Sequence, residues 1–309
     1  LVFQTSAWIE FLTKYQNAKP VCYAILLDDD RIGFFTGCEI RKGPFRILGA
    51  PLKGWATDYM GFNLTADAAI KKEDILAPLL ELLHKTYHYI EFCAPDLNVD
   101  LLNKIPDIVC QKYGNFEIDL TLEYPEIKKK MSKATRNFVN RAERYGLTTL
   151  TDNREEHAEF FYDCLGEVFA RQKKQVPFGI DRVKCLLSSL CKDDKVQVVI
   201  CSADGKQIGI GIFVGYGQRV VLWGLAGRQE AMDQHPYEPI LWHGIHYWKE
   251  RGACVLDMGG GGSYKKKYGG VPTEMARILA PKWKFLLILR NFYSKVVIIS
   301  NRIKSMLRK

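Results

Sequence analysis

The chain has no acidic residue after Glu274, no C-x-x-C pair, no H-E-x-x-H and no G-x-S-x-G. Each absence excludes a class. Nine cysteines, an odd count without C-x-x-C, read as reduced, mostly buried thiols rather than a disulfide scaffold or a cysteine zinc site. Without H-E-x-x-H, the helical pairs His84/His88 and His243/His246 carry no metal signature, and no metal is expected. Without the serine elbow, no serine nucleophile is indicated. The longest apolar tract, Phe285 to Ile299, is broken by Arg290 and Lys295 and falls short of the ~20 residues of a membrane span. Leu1-Val2-Phe3-Gln4 shows neither a basic n-region nor an apolar core, so a cytoplasmic chain without a leader is the expectation.

What is present is globular. Hydrophobic residues make up 47% and charged residues 26% of 309 residues, a length that predicts two domains. The net charge of +9 is localised. Residues 275–309 hold nine cations and no acid, so residues 1–274 sum to zero. A neutral body with a basic tail points to an acidic partner, a membrane surface or nucleic acid.

Hydrophobic periodicity predicts a mixed α/β chain. The first half reads as a helix over Ser6–Tyr15, strands Val21–Leu27, Ile32–Ile40 and Phe45–Ala50, and a helix over Lys72–His88. Further strand runs follow at Tyr89–Cys93, Asp107–Lys112 and Phe116–Leu122. The second half repeats the order. Helices Glu155–Gln172 and Asp181–Cys191 precede strands Val196–Cys201, Gln207–Gly215 and Arg219–Ala226. A helix Tyr237–Arg251 and strands Ala253–Met258 and Glu274–Ala280 close it. Between the halves, Ile127, Met131, Ala134, Phe138, Ala142 and Tyr145 form one helical stripe over Tyr124–Gly146, whose other faces carry seven Lys and Arg residues. Gly209-Ile210-Gly211 lacks the strand-then-helix context of a dinucleotide fingerprint, and Gly215-Tyr216-Gly217-Gln218 reads as a hairpin turn.

Several motifs resemble one family. They are Phe3-Gln4 with Trp8 and Phe11; the basic stretch Ser132–Gly146; Pro239-Ile240-Leu241-Trp242 followed by Gly252, Asp257 and Gly259-Gly260; and Tyr264-Lys265-Lys266-Lys267-Tyr268-Gly269-Gly270. In this order they resemble the FemAB-like branch of the GNAT acyltransferase superfamily, over about residues 3–280. The resemblance implies two tandem GNAT-like domains, each a mixed, largely antiparallel sheet flanked by helices. With it the expected division is 1–148, 149–281 and a basic amphipathic helical tail 282–309, for which packing on the N-terminal domain is one expectation. It also implies transfer of an acyl or aminoacyl group to an amine, with acyl-CoA or aminoacyl-tRNA as donor substrate and no permanently bound cofactor. Two features depart from relatives. No helical-hairpin arm is visible, and Gly227–Pro236 has one glycine, two acids and a proline where ordinary GNAT enzymes carry a glycine-rich pyrophosphate loop.

Candidate site residues follow. Four glycines, including Gly260 and Gly261, let backbone N–H groups approach a ligand after the strand ending at Met258. Lys265 supplies a point charge for phosphate, with Tyr264 and Tyr268 four residues apart beside it, while Lys266 and Lys267 read as surface. Arg136, on the basic face of the central helix, suits phosphate through its guanidinium fork. Arg171 ends a helix where the family often shows an arginine. Asp257 and Glu238 compete for the base role, and Tyr264 or Tyr268 for donation to the oxyanion. The expected setting is a cytoplasmic enzyme, peripheral at the inner membrane face. It would bind a phosphate-bearing envelope precursor, tRNA being a further candidate partner. Residues 285–309 would meet anionic lipid through a seam of Phe285, Leu289, Phe292, Val296, Ile299, Ile303 and Met306. Rival readings are a long-chain acyl-CoA N-acyltransferase making an amino-lipid and a non-catalytic membrane- or RNA-binding protein.

Overall fold

A computed structural model describes residues 1–65, 70–95, 97–102 and 105–292. It is a mixed α/β fold that divides into two compact units, each discontinuous in sequence. The first comprises Leu1–Gln16 with Tyr113–Glu274, and the second Asn17–Lys112 with Met275–Lys309. Segments 1–148 and 149–281 as separate GNAT-like repeats remain a proposal.

In the second unit, β1 (Lys19–Leu27), β2 (Asp30–Lys42) and β3 (Phe45–Ala50) form an antiparallel meander. The short β4 (Gly61–Leu64) pairs with β2. After α2 (Lys72–His84), the fully buried β5 (Tyr89–Ala94) returns parallel to β3, as a crossover helix permits. The four-residue α3 (Val99–Leu102) leads to β6 (Val109–Asp119), a single strand where the sequence suggests two. Gly114 interrupts the apolar pattern without interrupting the backbone.

The first unit opens with a helix, α1 (Ser6–Gln16). The predicted central helix is two helices, α4 (Tyr124–Lys130) and α5 (Lys133–Arg141). Met131 is extended at φ −70°, ψ 153°, and the Ser132 hydroxyl accepts a hydrogen bond from the Thr135 N–H as an N-cap. The predicted stripe holds only in part: Ile127, Met131 and Ala142 are buried in one core and Phe138 is half-buried, but Ala134 and Tyr145 are exposed and Thr135 is the residue buried in the first turn of α5. Periodicity alone reads one helix because Met131, at the break itself, keeps the four-residue step from Ile127. Next come β7 (Leu147–Thr151), α6 (His157–Arg171) and α7 (Ile180–Leu190). α7 packs on α1, with the Arg182 guanidinium 4.9 Å from the Tyr15 ring centre.

The antiparallel strands β8 (Val196–Ala203), β9 (Lys206–Tyr216) and β10 (Arg219–Gly227) follow, with β7 beside β8. β9 is buried from Ile208 to Gly215, and α8 (Tyr237–Glu250) lies across it. A Cβ on Gly244 of α8 would overlap the Phe213 ring of β9, so glycine sets this close approach. β11 (Val255–Gly260) runs parallel to β10 and antiparallel to β6. β12 (Val271–Pro281) then passes from the first unit to the second, where it pairs antiparallel with β5. A final helix covers 285–292. The predicted seam residues Val296, Ile299, Ile303 and Met306 lie outside the described residues. No described helix is long and apolar enough to cross a membrane. Four of the nine thiols, Cys38, Cys93, Cys164 and Cys201, are buried, and Cys22 is exposed. Burial pushes Cys38, Cys164 and Cys201 up to about 12, which keeps them protonated and poorly nucleophilic.

Candidate active site

The β10–β11 ladder is short. Its register runs Arg219↔Val255, Val220↔Leu256 and Val221↔Asp257 and stops there. β10 continues to Gly227 and β11 to Gly260 without pairing to each other, and Gly227 ends against the Tyr237 ring at the start of α8.

At that start, Glu238 occupies the first turn of α8, where the helix dipole favours a carboxylate. It is 3% exposed. The Lys267 ammonium stands 3.1 Å from its Oε1, and the Tyr268 hydroxyl lies 3.5 Å away, at the limit of a hydrogen bond. Lys267 also sits 4.6 Å from the centre of the Tyr268 ring. Burial first, then the Glu238 charge, raises the Tyr268 pKa far above its ordinary value, so the phenol remains a proton donor. Tyr264 and Tyr237 act on it in the same direction, each less than Glu238. Burial raises the pKa of the half-buried Tyr237 phenol, while the positive charge of Arg171 acts in the opposite direction. Tyr264 is exposed at 60% and Arg171 is exposed on the end of α6. Of the residues singled out in the sequence, Glu238 and Tyr268 meet, joined by Lys267, while Tyr264 and Arg171 act electrostatically on the same group by way of Tyr268 and Tyr237. Neither addition was legible: Tyr237 carried no motif, and Lys267 read as plain surface.

Asp257, Gly260, Gly261 and Lys265 form an adjoining group at the end of β11. Asp257 is fully buried. Its Oδ1 accepts the Gly259 N–H at 2.7 Å, and its Oδ2 lies 3.4 Å from Arg219, which also bonds Glu117 at 2.7 Å. Burial raises its pKa, only partly offset by these partners. Gly259 and Gly261 adopt φ of 72° and 108°, a region open to glycine and costly for other residues. Lys265, 7% exposed, donates from Nζ to the carbonyls of Met258, Gly259 and Gly260, the Gly259 contact being 2.9 Å. Its ammonium therefore holds the strand end closed on itself, within the six-residue turn Ser263–Tyr268.

Arg136 donates to the Lys129 carbonyl at 3.1 Å and to the Met131 carbonyl, closing the end of α4. Its guanidinium is thus engaged by backbone carbonyls. Its helix is nevertheless tied to the lysine element, because the Ser132 N–H donates to the Lys267 carbonyl at 2.8 Å.

A separate concavity of about 730 Å³ is lined by β7, the end of α5 and α8, including Thr149, Trp242, His243 and His246. His243 is held by both ring nitrogens, to Thr149 at 3.1 Å and Thr151 at 2.9 Å, and His246 stacks on Tyr124 at 4.0 Å. No cluster of three potential metal-ligating side chains occurs among the described residues.

A strand pair that opens beside a helix start carrying a buried carboxylate and a phenol suits acyl transfer. Residues 129–267 match the family described as an acetyltransferase (GNAT) domain. The chain thus carries a GNAT domain, and by it is an acyltransferase. Its fold is that of the crystal structure of FemX, with a TM-score of 0.72 at 14% identity over 89% of this chain and 91% of that one. A C-terminal domain assigned to a lysylphosphatidylglycerol synthetase of Agrobacterium fabrum matches with a TM-score of 0.57 at 15% identity, covering 96% and 94%. A tandem GNAT protein from the clavulanic acid biosynthesis pathway matches with a TM-score of 0.50 at 9% identity, covering 86% and 84%. At these identities the likeness is one of fold, and it agrees with the tandem GNAT architecture and the FemAB-like resemblance of the motifs. No curated protein matches the chain.

Proposed function

We propose that this acyltransferase moves an acyl or aminoacyl group onto an amine of a cell-envelope precursor, working at the inner face of the membrane. The observation that carries this reading is the buried Glu238 held by Lys267 and Tyr268 where the β10–β11 ladder opens. An extended donor arm fits the unpaired strand edges, which offer backbone donors and acceptors. The acceptor amine attacks the donor carbonyl, the new C–N bond forms, and the C–S or C–O bond to the carrier breaks. Glu238 takes the proton that the amine loses. The carrier leaves as its thiolate or alkoxide and is protonated by solvent. Tyr268 donates to the developing oxyanion, a role its raised pKa suits. Arg171 and Tyr264 face the entering substrate, and a phosphate on donor or acceptor would meet Arg171. Lys265, with Gly260 and Gly261, sets the shape of the strand end, and Asp257 fixes it from beneath. Arg136 supports the same turn through Ser132 and Lys267.

A lipid-borne acceptor or product is the second reading. It is favoured by the exposed apolar side chains of 283–292 and agrees with the name of the lysylphosphatidylglycerol synthetase relative. The test is a donor panel of acyl-CoAs and aminoacyl-tRNAs against amine-bearing precursors and aminolipids, with products read by mass spectrometry. Transfer from one donor class, abolished in Glu238→Gln, supports the proposal. Transfer undiminished in Glu238→Gln removes this site from the chemistry.

A further inference from the structure

The segment after β12 places large apolar side chains in solvent. Trp283 is 44% exposed, Phe285 48%, Ile288 71%, Leu289 45% and Phe292 66%. Trp283 and Phe285 stack with ring centres 5.9 Å apart, and Phe285 meets the edge of Phe45 at 6.4 Å. The opposite side of the same short helix is anchored. Leu286 is buried against Tyr89 and Leu279, with Leu287 packed beside it, and Arg290 turns inward to the buried Glu91 at 3.1 Å. The apolar face is therefore held outward on a fixed support. A contiguous exposed apolar patch of this kind marks an interaction surface.

Charge decides what covers it. The Lys284 ammonium is 86% exposed beside the patch, and its ion pair with Asp107, itself 72% exposed, is a weak one. Residues 275–309 carry nine cations and no acid. A second copy of this face would bring cations against cations. Residues 293–309 hold Lys295, Arg302, Lys304, Arg308 and Lys309 and no acid, so they too repel this rim. An anionic lipid surface supplies the opposite sign together with an apolar layer for Trp283, Phe285, Ile288 and Phe292. Aromatic residues with lysines suit that boundary.

We infer that the face formed by Trp283, Phe285, Ile288, Leu289 and Phe292, rimmed by Lys282 and Lys284, docks on an anionic membrane surface. This deepens the reading of an enzyme working at the membrane. Vesicle binding needs no turnover, so the docking surface and the catalytic assignment fail separately. The full chain is co-sedimented with phosphatidylcholine vesicles carrying graded phosphatidylglycerol, beside Phe285→Ser/Ile288→Ser/Phe292→Ser and Lys282→Gln/Lys284→Gln. Binding is expected to rise with the anionic fraction and to weaken with added salt. It should fall about tenfold or more in the triple variant and by a smaller factor in the lysine variant. Should the triple variant fold poorly, tryptophan emission serves instead: vesicles shift the wild-type emission to the blue, and Trp283→Phe removes that shift. Three results overturn the inference: no vesicle binding by the wild type, binding unchanged in a folded triple variant, or a dimer in solution that the triple variant dissolves while vesicles do not bind.

Discussion

Lys267 and Glu238, 29 residues apart in sequence, meet at 3.1 Å with the lysine 44% exposed and the carboxylate 3% exposed. A buried carboxylate needs a partner, and this one is reached from the solvent side. An incoming acceptor ammonium can therefore exchange with Lys267 for the same oxygen. The expectation is that Glu238→Gln keeps its fold but loses about 100-fold in kcat, the scale of a general base. Lys267→Ala should cost about tenfold or less, because Tyr268 still faces the carboxylate. Steady-state rates on the donor that the panel selects check both. A larger loss for Lys267→Ala than for Glu238→Gln would assign the lysine the central role.

Lys265 gives a stability prediction. Its ammonium satisfies three carbonyls in a site 7% exposed. Lys265→Met leaves those acceptors without their charged donor and should destabilise by about 3 kcal/mol, with denaturant melts as the measurement. Arginine should not restore it, since a planar guanidinium does not fit a pocket shaped for a tetrahedral donor. A melt unchanged in Lys265→Met would mean that the strand end holds its shape without this side chain.

Asp257 gives a pH dependence. Burial raises its pKa in the fold above the ordinary carboxylate value, so the native state binds the proton more tightly than the unfolded chain. The corresponding stability is full below the unfolded pKa, near 3.8. It is lost as pH rises through the folded value and stays lost above it. Wild type minus Asp257→Asn, measured by urea melts from about pH 3 to about pH 7, should therefore fall with pH and then level. A difference that rises instead would show that Arg219 and Gly259 outweigh desolvation.

The sequence carried the strands and helices whose contacts are local, and it lost what distant contacts decide. The meander β1–β3 and the succession of α6, α7 and β8–β10 were legible from alternation and helical spacing. The break between α4 and α5 was not, because Met131, at the break itself, is buried in the same core as Ile127 and keeps the helical spacing. Ser132 three residues before Thr135 was the available signal. Four site residues were legible through their motifs, yet Tyr237 and Lys267 acquire meaning only when α8 and the 263–268 turn meet. In the sequence Arg290 only interrupts the apolar tract Phe285–Ile299. It is turned inward to Glu91, 199 positions earlier, a partner no local pattern reveals.

That partner yields the last prediction. Glu91 is 2% exposed and accepts from the Lys53 N–H at 2.9 Å, the Tyr89 hydroxyl at 3.0 Å, Arg277 at 2.9 Å and Arg290 at 3.1 Å. Two guanidinium groups share one carboxylate. Removing the carboxylate leaves two half-buried cations facing each other, so Glu91→Ala should destabilise by about 4 kcal/mol. Arg290→Met removes one cation, leaves the Glu91–Arg277 pair intact and keeps the stem's packing. It should cost about 1 kcal/mol or less in global stability. It should also speed amide hydrogen exchange across 285–292 without changing exchange in β5, because Arg290 anchors the final helix rather than the strand. The double variant Glu91→Ala/Arg290→Met should be more stable than Glu91→Ala alone, since one uncompensated cation is gone. Should the double variant instead lose the sum of both effects, Arg290 would not be coupled to Glu91, and the final helix would be held by Leu286 and Leu287 without it.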